Sequence, residues 1–361
     1  MLAVLLLAGC DGRQAGEAQE VRNVIFMIGD GMGLPQLTAL SLEQDYEPTQ
    51  IERARYVGIQ KTYSANNRVT DSAASGTALA CGEKTDNAMI GVLPDGTPLE
   101  SVLKVAQEEG KATGIVVTYA PTDATPAAFV AHNADRDDHE ATALQYLDSG
   151  IDVIAGSCRQ YFSQRADGRN LVVEMCERGY TFAPDKDAFL VAEETPVLAL
   201  FDYEDIPYVI NDTLGVRGDY LMQATMKATE LLDGAMKDGF FLMVESSFID
   251  WNGHDNNIEG VIAEMRDFDR AVGAAFDYAV SHPGTLVVVT GDHETGGLSI
   301  LSSDSDYKAG SEEVVYNFAT DSHSGTFIPV YAYGTGAERF TGVMENTDIA
   351  KRLKELIGGR R

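Results

Sequence analysis

Positive charge is scarce in this 361-residue chain: 27 Lys and Arg stand against 56 Asp and Glu, a formal net charge of −29. A surface of that sign repels phosphate backbones, which excludes a general nucleic-acid binder. Cysteine is rare, at four residues, and tryptophan occurs once. Four cysteines cannot staple a chain of this length, so the fold must rest on a buried apolar core. After the first residues there is no apolar run near the roughly 20 residues that a spanning helix needs. Internal repeats and low-complexity tracts are also missing, which excludes a solenoid. The rest of the composition is that of a globular protein, 44% hydrophobic and 23% charged. An acidic protein that handles anions must bring local positive charge, and bound metal ions are one supply.

The chain opens MLAVLLLAGC. The apolar stretch is far too short to span a bilayer and suits the h-region of a signal peptide. Leu7-Ala8-Gly9-Cys10 resembles a bacterial lipobox. Residues 1–9 are therefore read as a lipoprotein signal peptide and the polar residues 10–22 as a tether, with 23–361 as a single catalytic domain. Lipid on Cys10 would anchor the protein to a membrane outside the cytoplasm, in the periplasm or at the cell surface. In that compartment a Cys158–Cys176 disulfide is expected, with Cys81 a small buried filler.

Short apolar runs at 24–28, 114–118, 153–155, 197–201, 240–244, 286–290 and 330–333 read as buried parallel strands. Segments of helical period alternate with them, at 99–109, 140–147, 219–237, 257–280 and 347–356. That alternation predicts an α/β fold, a doubly wound, mostly parallel central sheet with helices on both faces. Residues 159–214 read as loop-rich and acidic, with no legible role.

The residues just beyond the apolar runs carry more information. The first run leads into Asp30, the second to Asp123 and Thr125, the fifth into Glu245, and the sixth into Asp292 and His293. Open α/β sheets bind ligands beyond the carboxyl ends of their strands, so these acidic groups converge on one rim and need cations to balance them. Asp30, Glu245, Asp250, His254, Asp292, His293 and His323 form a set of carboxylate and imidazole ligands. Mixed N/O sets suit Zn²⁺, whereas all-oxygen sets suit Mg²⁺. Asp71 can cap a helix that puts Ser72 in its first turn, where free N–H groups and the dipole favour anions. By itself that segment reads first as an ordinary N-cap, with the seat of a phosphoryl acceptor as the alternative.

The run Val69-Thr70-Asp71-Ser72-Ala73-Ala74-Ser75-Gly76-Thr77-Ala78 resembles the nucleophile motif of the alkaline phosphatase family. Asp30-Gly31-Met32-Gly33, Asp123-Ala124-Thr125-Pro126 with Arg136 downstream, Glu245 with Asp250 and His254, Gly291-Asp292-His293, and His323-Ser324-Gly325 match further blocks in order. The resemblance runs from residue 23 to about 356 and is nearest the compact bacterial members.

It implies a metal-dependent phosphate monoester hydrolase with a phosphoseryl intermediate on Ser72, two Zn²⁺ and one Mg²⁺. Asp250, His254 and His323 would hold the first zinc. Asp292, His293 and Asp30 would hold the second, with Ser72 as a further ligand. Asp30, Thr125 and Glu245 would hold magnesium. Arg136 would grip two phosphate oxygens with its planar fork, and Asp123 would act through magnesium-bound water and by orienting Arg136. Trp251 falls where relatives carry Lys, His or Trp near the phosphate. The implied partners are small phosphate monoesters and inorganic phosphate, and relatives are often homodimers. The alternatives are a phosphodiesterase or sulfatase of the same superfamily, and a non-catalytic metal- or phosphate-binding lipoprotein. Thr125, Glu245 and Arg136 argue against a diesterase, the Asp-Ser-Ala run against a sulfatase, and Ser72 against a mere binder.

Overall fold

The computed structural model describes residues 20–303 and 313–358. The signal-peptide residues, Cys10 and the tether as far as residue 19 lie outside the described residues. In chain order the strands are β1 (Asn23–Gly29), β2 (Tyr56–Lys61), β3 (Ala112–Val117), β4 (Val153–Gly156), β5 (Thr181–Ala183), β6 (Val197–Leu200) and β7 (Phe240–Ser246). They continue with β8 (Thr285–Gly291), β9 (Glu294–Thr295), β10 (Leu298–Ser302), β11 (Val314–Phe318), β12 (His323–Ser324), β13 (Ile328–Gly334) and β14 (Gly342–Glu345).

Ten of these make one sheet in the order β14-β2-β13-β8-β1-β7-β3-β4-β6-β5. Every residue of β1, β7 and β8 is buried, because helices cover both faces of the parallel part. Alternate side chains of β1 serve two cores. Val24, Phe26 and Ile28 pack with helices Ser72–Cys81, Val102–Glu108 and Asn346–Ile357. Ile25 and Met27 pack with helices Leu34–Glu43, Tyr220–Asp233 and Ile258–Ser281. The doubly wound, mostly parallel architecture expected from the sequence is therefore present.

The register aligns the strand ends that matter. Ile28 is opposite Glu245, Gly29 is opposite Gly291, and Val117 is opposite Glu245. Asp30, Glu245 and Asp292 thus emerge together at the carboxyl rim.

Several expectations need correction. The run at 330–333 lies in β13, which is antiparallel to both β8 and β2. Only three residues separate β12, on the carboxyl rim, from β13. A parallel entry would need a crossover of a dozen or more residues, so the chain turns straight back down the sheet. The stretch 159–214 is loop-rich, yet it also carries β5, β6 and the helices Gln160–Ser163, Leu171–Glu177 and Lys186–Leu190. The fold also begins inside the expected tether, since Val21 is buried and the Arg22 N–H donates to the Gly284 carbonyl at 2.8 Å.

The expected disulfide is absent: Cys158 and Cys176 are both free. Cys158 is buried just beyond β4, in a left-handed backbone conformation with φ of 62°. Cys176 is exposed on helix Leu171–Glu177, whose Leu171, Val172 and Met175 face inward. The two thiols are close along the chain, but their side chains point to different environments.

Candidate active site

Asp71 sets the position of Ser72. Its Oδ1 accepts the Ala74 N–H at 2.9 Å, capping helix Ser72–Cys81 and leaving Ser72 at the first helical position. The buried Ser72 hydroxyl lies 3.1 Å from Nε2 of His293. Asp71 also uses its other oxygen, Oδ2, which accepts the Ala88 N–H at 2.9 Å and Arg136 Nη1 at 3.2 Å. Arg136 Nη2 lies 3.6 Å from Asp123 Oδ1, and that same oxygen accepts the Ala124 N–H at 2.8 Å, at the start of the short helix bearing Thr125.

The carboxylates and imidazoles gather into two groups, Asp250, His254 and His323 in one and Asp30, Asp292 and His293 in the other, with ligand atoms within 4.8 Å of one another in each. Helix Phe248–His254 presents Asp250 and His254 one turn apart. His323 arrives through β12, whose register sets it opposite Thr295 of β9, and its ring stacks on His293 at 3.5 Å. Close approach of these segments requires glycine at 31. Its φ is +73°, and a Cβ there would stand 2.7 Å from the Asp250 Cα.

The donor atoms are aimed as metal ligands are. His254 Nδ1 lies 2.6 Å from the Asp321 carbonyl, and His323 Nδ1 lies 2.9 Å from the Thr70 carbonyl. A carbonyl only accepts, so each Nδ1 carries a proton and each Nε2 is the nitrogen turned toward the carboxylates, where a cation could replace its proton; His254 Nε2 lies 3.2 Å from Asp250 Oδ2. These two Nε2 atoms face each other at 3.3 Å. Asp30 Oδ1, Thr125 Oγ1, Glu245 Oε1 and Asp292 Oδ2 are buried with no hydrogen-bond partner. Orphaned buried oxygens of this kind are costly unless a cation takes them. The residues present fit a divalent metal centre.

The electrostatics agree. Burial and the neighbouring Asp292 and Asp250 carboxylates push Asp30 well above the usual carboxylate range. Burial and Asp123 do the same to Glu245, and burial with Asp250 brings Asp292 up to about 7. At Asp250 burial is outweighed by the hydrogen bond from His254 and the nearby His293 and His323, so its pKa is lowered. The same hydrogen bond raises His254 to about 9, whereas burial keeps His293 well below its ordinary value. Burial disfavours the Arg136 cation, but Asp123 and Asp71 overcome it and hold the guanidinium charged.

The alkaline phosphatase family model matches residues 21–316. The chain belongs to the alkaline phosphatase family. It is 35% identical to alkaline phosphatase 3 of Bacillus subtilis, over 97% of this chain and 92% of that protein. It is 31% identical to streptomycin-6-phosphate phosphatase of Streptomyces griseus, over 94% and 91%. A mutant of the TAB5 alkaline phosphatase with Mg bound superposes with a TM-score of 0.86 at 34% identity, covering 96% of this chain and all of that one.

Within this alkaline phosphatase fold, every residue singled out from the sequence for a catalytic or metal role is on the carboxyl rim or packed against it. Sequence reasoning missed the residues that hold them. Thr295 donates to Asp250 Oδ1 through a very short hydrogen bond and lies 3.2 Å from His293 Nδ1, linking the two groups. Ser75 Oγ donates to the Asp292 carbonyl at 2.6 Å, fixing helix Ser72–Cys81 to the end of β8. Two signals point to them: Thr295 is two residues beyond His293 along a strand, and Ser75 is one helical turn beyond Ser72.

Proposed function

We propose that this protein is a metal-dependent phosphate monoester hydrolase acting through a phosphoseryl intermediate on Ser72. The observation that carries the reading is a buried serine hydroxyl at a helix N-terminus, 3.1 Å from a metal-ligand imidazole, with Arg136 anchored on the residue before it. Asp250, His254 and His323 would hold one Zn²⁺. Asp30, Asp292 and His293 would hold a second, with Ser72 beside it, and Asp30, Thr125 and Glu245 would hold Mg²⁺. When bound, these ions supply Lewis-acid charge that lowers the pKa of hydroxyl and water and offsets charge on the phosphoryl group.

This chain's own groups do the rest. Ser72 Oγ gives its proton to solvent and attacks phosphorus while the ester P–O bond opposite it breaks and the alcohol departs, its oxygen taking up a proton from water. Arg136 grips two phosphoryl oxygens, and the free N–H groups of helix Ser72–Cys81 face the developing charge. Water then attacks phosphorus, breaking the Oγ–P bond, and phosphate leaves. Asp123 keeps Arg136 in place. The Leu7-Ala8-Gly9-Cys10 run supports an extracytoplasmic, lipid-anchored location for this enzyme. Among the described residues no helix is long and apolar enough to cross a membrane.

The test is Ser72→Ala with metal content and folding measured alongside turnover of a chromogenic monoester. We expect retained fold and metal with most turnover lost. Labelled phosphate trapped on the wild-type protein should map to Ser72, and label on Ser75 or Thr77 would overturn the assignment.

A further inference from the structure

A cavity of about 390 Å³ opens from the site, lined on one side by Asp123, Arg136, Asp250 and His254. Its other side is aromatic. Tyr119, from the segment after β3, packs on Trp251 with ring centroids 4.8 Å apart. Tyr208 stands 6.3 Å from Trp251 and 4.7 Å from Phe248. All three lining rings, Tyr119, Tyr208 and Trp251, come from different segments of the chain.

Tyr208 is fixed with unusual care for a residue in a connection. The carbonyl before it, on Pro207, accepts from Arg217 Nη1 at 3.0 Å, and the N–H after it, on Val209, donates to Glu264 Oε1 at 2.7 Å. Arg217, Glu264 and Asp267 form a fully buried ion cluster, with Arg217 Nη2 2.7 Å from Glu264 and 2.6 Å from Asp267. Two backbone groups flanking one exposed-edge tyrosine are thus tied to the same buried charges. That arrangement satisfies the buried charges and at the same time holds the Tyr208 ring at a set place in the cavity wall.

We propose that Tyr119, Tyr208 and Trp251 form a leaving-group subsite that selects phosphate monoesters of neutral, planar aromatic alcohols. This rests on the phosphatase reading above, which puts the phosphoryl group at the polar side of the cavity and the rest of the ester against the rings. Aromatic faces reward a stacked or edge-on ring beyond simple area burial. Asp255 on the cavity lining disfavours a leaving group that carries further negative charge.

The experiment compares kcat/KM for benzyl phosphate and ethyl phosphate, two alcohol esters that differ in the ring. In the metal-loaded wild type the benzyl ester should be preferred. Tyr208→Ala should lower the benzyl-to-ethyl ratio about five- to tenfold, and Tyr208→Phe should restore it. Trp251→Ala should lower the same ratio, which keeps the test open if Tyr208→Ala fails to fold. A ratio unchanged in the folded variants, with both esters still turned over, overturns the subsite alone. A wild type that hydrolyses neither ester overturns it together with the phosphatase reading.

Discussion

Arg136 donates through Nη1 to Oδ2 of Asp71 at 3.2 Å, so the residue preceding the serine hydroxyl also holds the guanidinium. One carboxylate therefore sets both groups, through its cap on one oxygen and its ion pair on the other. Asparagine caps a helix about as well as aspartate but carries no charge. Asp71→Asn keeps the cap through its amide oxygen but sets an NH2 group against the Ala88 N–H and Arg136 Nη1, so it is expected to lower the melting temperature and to raise the inhibition constant for inorganic phosphate about three- to tenfold. Asp71→Ala should add a loss of about 1 kcal/mol in unfolding free energy from the missing cap. An unchanged phosphate constant in Asp71→Asn would leave Asp71 with the capping role alone.

Metal removal is expected to destabilise the protein more at pH 8 than at pH 5. Without cations, Asp30 and Glu245 sit well above their ordinary values and Asp292 at about 7. Groups raised on folding bind more protons in the native state. Their contribution is full below the unfolded values near 4; for Asp292 it is lost as pH rises through about 7, and for Asp30 and Glu245 as pH rises through their own raised values. His293, lowered by burial, works in the opposite sense below about 6.5, but it is one group against four, because His254, raised to about 9, also loses its contribution as pH rises. Bound cations remove the conflict and favour deprotonated ligands. The gap in melting temperature between loaded and chelated protein should therefore widen from pH 5 to pH 8. A constant or narrowing gap would show that the carboxylate cluster does not hold metal.

The parts of this site that can be read from sequence are those fixed locally. Asp30 and Asp292 follow apolar runs directly, Glu245 sits at the end of another, and Asp250 and His254 are one turn apart, so strand and helix periods place them. His323 has no such local signal. It reaches the site because β12 pairs with β9, and the family motif alone points to it. Thr295 and Tyr208 depend on packing between segments far apart in the chain, which periodicity does not report. The same limit explains two of the misread features. Apolarity marks 330–333 as a strand but carries no direction, and cysteine spacing says nothing of where a thiol points. The short edge strands β5 and β14 lack the continuous apolar run of a buried strand, being partly exposed.

The buried cluster of Arg217, Glu264 and Asp267 should be a point of fragility. Arg217→Met leaves the buried Glu264 without its cation and Asp267 with only Arg270, 3.0 Å away, and breaking such a group typically costs about 3–5 kcal/mol. Urea unfolding should show that loss as a lower midpoint with little change in slope. Replacing all three residues by apolar ones of similar size should recover much of the stability. If Arg217→Met alone is neutral, water reaches the cluster and its carboxylates are not desolvated.

Arg136 is expected to decide between phosphate esters. A monoester dianion offers two free oxygens to the guanidinium fork, whereas in a diester one is blocked by the second substituent. The fork then loses a charge-assisted hydrogen bond and meets a smaller charge. Bonds of that kind are worth about 1.5–3 kcal/mol, so this contact should favour monoesters roughly 10- to 100-fold. Arg136→Ala should lower kcat/KM for a monoester by that factor and weaken phosphate inhibition with it, while the slow diester rate changes little. Arg136→Lys should recover only part of the loss, because an ammonium offers a charge but no planar fork. Asp123→Ala should move both readouts in the same direction by less, since its carboxylate lies 3.6 Å from Nη2 and Asp71 still holds Nη1. If Arg136→Ala depresses monoester and diester rates equally, the residue serves the fold or the metal ligands, and monoester selectivity must come from Thr125 and Glu245 instead.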